Sequence, residues 1–342
     1  MSTVEPGSGV VCVTGASGFV GTHVVHAMLR RGHRVRATVR DPDDTKKCAH
    51  LLALDGADER LELVPGDLLT EGSFDRAVEG CAAVVHTAAV ALLTAKDPQR
   101  QIVDPSVRGV TNVLGSVRRA GGVKVFVQTS SMAAMVSTPV AGKRYQEGDW
   151  NEEAKLHNDP YGLAKTLAER AVWRFAEEDG APRCVAINPA LVLGPLYVKA
   201  HVRSSPSVLR DLLVGTFPAI PRFQFGVVDG REVGDAHALG VERDVMGRFL
   251  LVAEPLWLRE IADVLRPHYP DRKITKRQLP NFLMYVASLF DKRVDRTMLD
   301  QLLDKTIGFD NTRSRDVLGV DYRPAERTVL DTAASMIGRG FA

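Results

Sequence analysis

A chain of 342 residues, 45% hydrophobic and 25% charged, is long and apolar enough for a large core and for a main domain with a smaller lobe. Its acids and bases are interspersed and balance to +2, which argues against a nucleic-acid or anionic-membrane binder and favours a small-molecule ligand. Apolar stretches such as LPNFLMYVASLF are too short to span a bilayer, and MSTVEPGSG lacks the basic and apolar parts of a signal peptide, so a cytoplasmic protein is expected. The four cysteines, Cys12, Cys48, Cys81 and Cys184, form no C-x-x-C pair and the nine histidines no H-E-x-x-H, so neither a disulfide framework nor a metal site is expected.

In chain order, a tail over residues 1–8, expected to be disordered, leads into strand-length apolar runs that alternate with longer segments of helical period. The expected strands are Val10 to Val13, Arg34 to Thr38, Leu61 to Val64, Ala83 to His86, Val123 to Gln128 and Cys184 to Asn188. This is the pattern of an α/β fold: a doubly wound parallel sheet of Rossmann type with helices on both faces. After Gly194-Pro195 the rhythm breaks. Residues 9–195 with 228–254 are read as the dinucleotide-binding domain, and 196–227 with 255–342 as a smaller, mainly helical substrate lobe.

The first strand runs into VTGASGFVGTHVV, where Gly15, Gly18 and Gly21 are spaced three apart. In a turn between a first strand and its helix, glycines permit positive φ, admit phosphate oxygens to the backbone and let the helix pack close to the sheet. The helix start supplies free N–H groups and a favourable dipole. Gly15, Ser17, Gly18, Phe19, Val20 and Gly21 are therefore the expected diphosphate contacts. At the tip of the second strand, VRATVRDPDDTKK, counting from the glycines does not separate Arg40 from Asp41. Arg40 comes first, and Lys46 and Lys47 follow, so Arg40 with Lys47 is expected to surround a 2′-phosphate and the cofactor to be NADP(H).

The fifth strand ends in Thr129-Ser130-Ser131, which places hydroxyls at the carboxyl edge of the sheet, where a serine can donate to a substrate carbonyl. Further on, NDPYGLAKTLAERAVWRF carries Tyr161 and Lys165 four apart, with Leu163, Leu167, Val172 and Phe175 forming an apolar face. A phenol with an ordinary pKa of about 10 is a poor acid or base near neutrality, and an adjacent ammonium favours its ionised form. With six tyrosines in the chain a lone Tyr-x-x-x-Lys is weak evidence, and it gains weight from following the glycine turn and the strand-end serines in this order.

These motifs, together with GDL at 66–68, VVHTAA at 84–89 and NPALVLGP at 188–195, resemble an extended short-chain dehydrogenase/reductase, closest to the dihydroflavonol reductase, cinnamoyl-CoA reductase and bacterial aldehyde (carbonyl) reductase group. The resemblance implies that Ser131 orients a carbonyl, that Tyr161 donates the proton, and that Lys165 lowers the phenol's pKa and holds the nicotinamide ribose. It implies further cofactor contacts from Asp67 and Leu68 at the adenine, from Thr87, Ala88, Ala89 and Thr129, from Pro189 and Val192 near the nicotinamide, and from Ser207. His86 is read as a core residue. The expected activity is reversible hydride transfer between NADP(H) and a ketone or aldehyde, by a monomer or homodimer. A 3β-hydroxysteroid-type dehydrogenase, an NAD-dependent sugar-nucleotide epimerase or dehydratase, and a non-catalytic NADP-sensing protein are the alternatives.

Two departures stand out. Val136, five positions after Ser131 and preceded by Met132 and Met135, replaces the polar residue that flavonoid reductases place there, so an apolar pocket is expected. VDGREVGDAH departs from the usual VDVRDVADAH by Gly230, which leaves the local strand geometry open. The pocket walls are expected from 132–142, 196–227 and the helix beginning near Pro280.

Overall fold

Strand β1 (Val10–Thr14) has Val11, Cys12 and Val13 wholly buried, as a continuous apolar run requires of a strand covered on both faces. It is the centre of the computed structural model, which describes residues 3–90, 92–288 and 296–342. Around it lie β2 (Arg34–Val39), β3 (Leu61–Pro65), β4 (Cys81–His86), β5 (Val125–Thr129), β6 (Arg183–Pro189) and β7 (Gly247–Leu251). All pair in parallel, in the spatial order β7-β6-β5-β4-β1-β2-β3. Strand β7 was not among the six expected. The order reverses between β1 and β4, which opens a crevice at the carboxyl ends of these two strands.

Alternation along β1 feeds two core layers. Val11 and Val13 join the layer under helices α1 (Phe19–Arg30) and α4 (Gly230–Glu242). Cys12 joins Val84, Phe126, Val113 and Val172 under α2 (Asp104–Ala120) and α3 (Pro160–Ala176). All four cysteines are free and buried, and burial pushes the Cys81 and Cys184 thiols up to about 11 and about 12.

The segments after β6 carry more strand than expected. Leu191–Leu193, Gln224–Asp229 and Glu254–Trp257 make a three-stranded sheet, accompanied by the helices Ser207–Leu213, Leu258–His268, Asn281–Ser288, Arg296–Leu302 and Ala325–Gly338. No helix among the described residues is long and apolar enough to cross a membrane.

One local expectation is corrected, and one point left open by the sequence is answered. In the tail expected to be disordered, Val4 is buried and its N–H donates to the Val241 carbonyl at 3.3 Å, so the segment docks on α4 at that point. At VDGREVGDAH the strand ends at Asp229 and Gly230 opens α4. Asp229 caps the helix by accepting from the Arg231 N–H at 2.8 Å, and Glu232 reciprocates on the Asp229 N–H at 3.1 Å. A Cβ on Gly230 would stand 2.5 Å from Cδ2 of His23, and one on Gly234 2.5 Å from the His23 carbonyl oxygen, so both glycines are what lets α4 lie against α1.

Candidate active site

The turn between β1 and α1 is built by its glycines in three different ways. Gly15 has φ 69°, and a Cβ there would meet the Ala88 backbone at 2.6 Å. A Cβ on Gly21 would stand 2.2 Å from the Gly15 carbonyl oxygen and 2.9 Å from Oγ1 of Thr87. Gly18, by contrast, is exposed and its imagined Cβ meets only the Gly15 oxygen, at 3.3 Å. Gly18 is the N-cap of α1 and offers no side chain to the helix, so the N–H groups of the first turn are left for an external acceptor. Ser17 is exposed, Val20 half-buried and Phe19 buried. Backbone open to anions at 17–18, backed by closely packed backbone at 15 and 21, suits a diphosphate.

The rim of the crevice follows the carboxyl ends of β2, β3 and β4. Arg40 is exposed immediately after β2. Lys47 is already paired, its Nζ 2.6 Å from Oδ2 of Asp44, the N-cap of the helix Thr45–Leu52. Asp67 is exposed; its carboxylate accepts from the Leu69 N–H at 2.8 Å, while Leu68 fills the space against Gly109. After β4, the Thr87 hydroxyl donates to the Thr14 carbonyl at 2.6 Å and the Ala88 N–H to the Thr14 hydroxyl at 3.4 Å, which holds Thr87, Ala88 and the exposed Ala89 beside the turn. His86 is buried below, with Nδ1 2.7 Å from the Thr14 hydroxyl; burial, aided by the Lys165 charge, pushes its pKa down to about 3.

Helix α3 begins at Asp159-Pro160. Asp159 caps it by accepting from the Gly162 N–H at 2.8 Å, and Pro160 takes the first helical turn, where its missing N–H costs nothing. This start fixes Tyr161 and Lys165 one turn apart, both half-buried, with the Lys165 Nζ 5.9 Å from the centre of the Tyr161 ring. Ser131 is half-buried at the start of the short turn Met132–Ala134, where its Oγ accepts from the Ala133 N–H at 3.1 Å. The neighbouring serine faces the other way: Ser130 is buried and donates to Oε2 of Glu169 at 2.5 Å. Thr129 is half-buried. Its hydroxyl donates to Nε2 of His237, whose Nδ1–H is committed to the Val233 carbonyl at 2.7 Å.

Two links tie the Ser131 loop to the Tyr161 helix and a third braces the loop itself, none of them read from the sequence. The Ser137 hydroxyl donates to Asp159. Nδ2 of Asn151 donates to the Ala133 carbonyl at 2.7 Å and to the Ser137 hydroxyl at 2.7 Å. Glu169, two turns beyond Tyr161, accepts from Ser130, from Asn188 at 2.8 Å, from Trp173 at 3.1 Å and from Arg248 at 2.6 Å. A carboxylate among the alanines of α3 was the available signal, and nothing local says which distant donors it meets.

Pro189 and Val192 are buried at the end of β6 and in the strand that follows, and Ser207 is half-buried at the start of its short helix. The apolar pocket inferred from Met135 and Val136 needs correction. Met135 packs with Leu250 and Val252, and Val136 with Tyr145 and Ile307, because the turn at 132–134 rolls both inward; Met132 alone of the three is half-buried. The expected helix near Pro280 is Asn281–Ser288, with Met284 in a cluster with Phe223, Leu299 and Leu303; residues 289–290 of that stretch lie outside the described residues. Gln301 donates to the Asn158 carbonyl at 3.1 Å, which brings the next helix to the start of α3.

A parallel sheet with a glycine turn at its point of reversal, and a serine loop braced against a Tyr-Lys helix, define a dinucleotide-binding α/β protein of the extended short-chain dehydrogenase/reductase type. The chain belongs to the NAD dependent epimerase/dehydratase family, whose sequence pattern matches residues 11–230. It is 35% identical to a cinnamoyl-CoA reductase of Medicago truncatula over 97% of this chain and 97% of that protein. It is also 35% identical to the dihydroflavonol 4-reductase of Arabidopsis thaliana, over 77% of this chain and 70% of that one. Among solved structures it is similar to Gre2 from Candida albicans in complex with NADPH, with TM-score 0.79, 26% identity and coverage of 96% and 98%.

Proposed function

We propose that the protein is an NADPH-dependent reductase that converts the carbonyl of a small apolar or aromatic ketone or aldehyde into an alcohol, reversibly. The observation that carries this is the pairing of an open glycine turn with Ser131, Tyr161 and Lys165 at the same edge of the sheet, in a chain whose relatives are named reductases. The backbone of residues 17–21 would hold the diphosphate, Arg40 the 2′-phosphate and Lys165 the nicotinamide ribose. NADPH supplies the hydride when bound.

Ser131 has a hydroxyl free to donate while its oxygen accepts from the Ala133 N–H, so it orients and polarises the carbonyl oxygen. The Tyr161 phenol gives its proton to that oxygen as negative charge develops. Lys165 places a positive charge one turn below the phenol and steadies its oxygen once the proton has left. An apolar substrate is favoured by the exposed Leu93 on the loop after β4, which packs through Ala95 in one cluster with Ala164 of α3, the helix that carries Tyr161.

The test is a screen of aryl ketones, β-keto esters and aldehydes, followed at the reduced-nicotinamide absorbance with NADPH and with NADH. Oxidation of NADPH by members of the panel is expected. Arg40→Ala should raise the KM for NADPH by about tenfold or more and leave that for NADH nearly unchanged, the loss of one charge-assisted phosphate contact. No turnover across the panel, or an Arg40→Ala enzyme that treats both cofactors as before, would remove the corresponding part of the proposal.

A further inference from the structure

Between the glycine turn and the segment leaving β6 there is a pair of crossed histidine contacts. His201, on the short helical turn Lys199–Arg203, is 3% exposed and its Nε2 lies 3.1 Å from the Ser17 carbonyl oxygen. His23, on α1, is 2% exposed and its Nε2 lies 3.1 Å from the Pro195 carbonyl oxygen. Residues 17–23 thus reach to 195, and residues 195–201 reach back to 17.

A carbonyl only accepts, so each Nε2 carries the hydrogen. Nδ1 of both rings is left buried without a partner. The rings are packed as well: Phe19 stands between them, 5.1 Å from His23 and 5.7 Å from His201, and His50 meets His201 edge-on at 5.5 Å. Tyr197, within the strap, packs on His23 at 5.2 Å and its hydroxyl lies 2.9 Å from Nδ1 of His26. Gly230 is what makes room for the His23 ring, since a Cβ there would stand 2.6 Å from Nε2.

The consequence lies in the geometry of one peptide. The Ser17 carbonyl and the Gly18 N–H belong to the same planar unit and point in opposite directions. The N–H end is bound to the Gly15 carbonyl at 3.0 Å, and the carbonyl end to His201. A glycine-rich turn exposed at residues 17 and 18 would otherwise rotate this plane, because glycine gives the least resistance of any residue. Pinned at both ends, the plane holds the following N–H groups of the α1 start in one direction.

We propose that His201 is a positioning residue for dinucleotide binding: with His23 it clasps the strap 195–203 to the glycine turn and pre-organises the turn's backbone for a diphosphate. This rests on the reading of that turn as the NADPH site. Pre-organisation lowers the ordering cost at binding and adds no contact to the ligand.

The experiment measures the dissociation constant of NADPH by titration of its fluorescence, on the wild-type chain, His201→Leu and His201→Gln. Leucine keeps apolar bulk against Phe19 and loses the donor; the glutamine amide places an N–H where Nε2–H was. The leucine variant should bind about tenfold more weakly, the worth of one hydrogen bond to a constrained carbonyl, with Kd and the KM for NADPH rising together and kcat at saturating NADPH changing far less. Glutamine should restore most of the affinity. Leucine binding as tightly as wild type, or leucine and glutamine equally weak, would overturn the clasp. Should the leucine variant fail to fold, His201→Asn against His201→Gln reads the same point: asparagine stops one methylene short of Ser17 and should bind more weakly, and equal affinities would overturn the proposal. Failure of the wild-type chain to bind NADPH at all would instead overturn the reading of the turn.

Discussion

The Ser130 hydroxyl donates to Glu169 at 2.5 Å, and this bond joins the end of β5 to the helix that carries Tyr161 and Lys165. Glu169 is wholly buried and its charge is met by Arg248, which is 7% exposed and also lies 4.0 Å over the Trp150 ring. A buried pair of this kind contributes little net stability as a whole, but removing one member strands the other charge. Glu169→Ala is therefore expected to cost about 3 to 5 kcal/mol in urea unfolding. A loss below about 1 kcal/mol would mean that water or another carboxylate takes up Arg248.

The adjacent serines separate structure from chemistry. Ser131→Ala and Tyr161→Phe should each lower kcat by a factor on the order of 10²–10⁴ while leaving NADPH affinity and unfolding midpoint near wild type. Ser130→Ala should cost about 1 kcal/mol of stability through Glu169. Full turnover by Tyr161→Phe would remove the proposed acid, and an active Ser131→Ala enzyme beside an inactive Ser130→Ala one would show that the serines are assigned the wrong way round.

Alanine at the turn glycines should give two distinct results. Gly15→Ala meets both a positive φ and the Ala88 backbone, and Gly21→Ala the Gly15 carbonyl at 2.2 Å, so each should destabilise by more than about 2 kcal/mol. Gly18→Ala has only a 3.3 Å neighbour and should fold with a loss of less than about 1 kcal/mol, yet bind NADPH more weakly because its new methyl stands on the exposed backbone. Thermal melting beside NADPH titration distinguishes these outcomes. A Gly21→Ala protein as stable as wild type would contradict the packing.

Acid should unfold the protein through its buried histidines. Burial holds His23 and His86 down at about 3, and His201 and His237 at about 4. The unfolded chain takes up these protons below its ordinary value near 6.5 and the native state does not, so stability is full above pH 6.5 and falls as pH drops toward 4. Glu232 opposes this: burial pushes it up to about 7, so the native state binds its proton first and gains relative stability as pH falls from about 7 to 4.5. Four groups outweigh one, with each histidine costing on the order of 1 to 2 kcal/mol at pH 5. Urea midpoints at pH 7 and pH 5 check the sign; equal midpoints would contradict it.

The order of strands as far as β6, the two-faced burial of β1 and the glycine turn were legible from residue order alone, because each rests on local periodicity or on a backbone conformation glycine permits. The spacing of Tyr161 and Lys165 was legible for the same reason, since four residues make about one helical turn. Tertiary structure alone decided that Ser130 is spent on Glu169, that Met135 and Val136 turn into the core, and that Gly230 is a seat for His23 and no defect in a strand. Glu169 and His201 belong to that second group. Their partners lie up to 184 residues away, and only the packed fold brings a buried polar atom to the donor or acceptor that satisfies it.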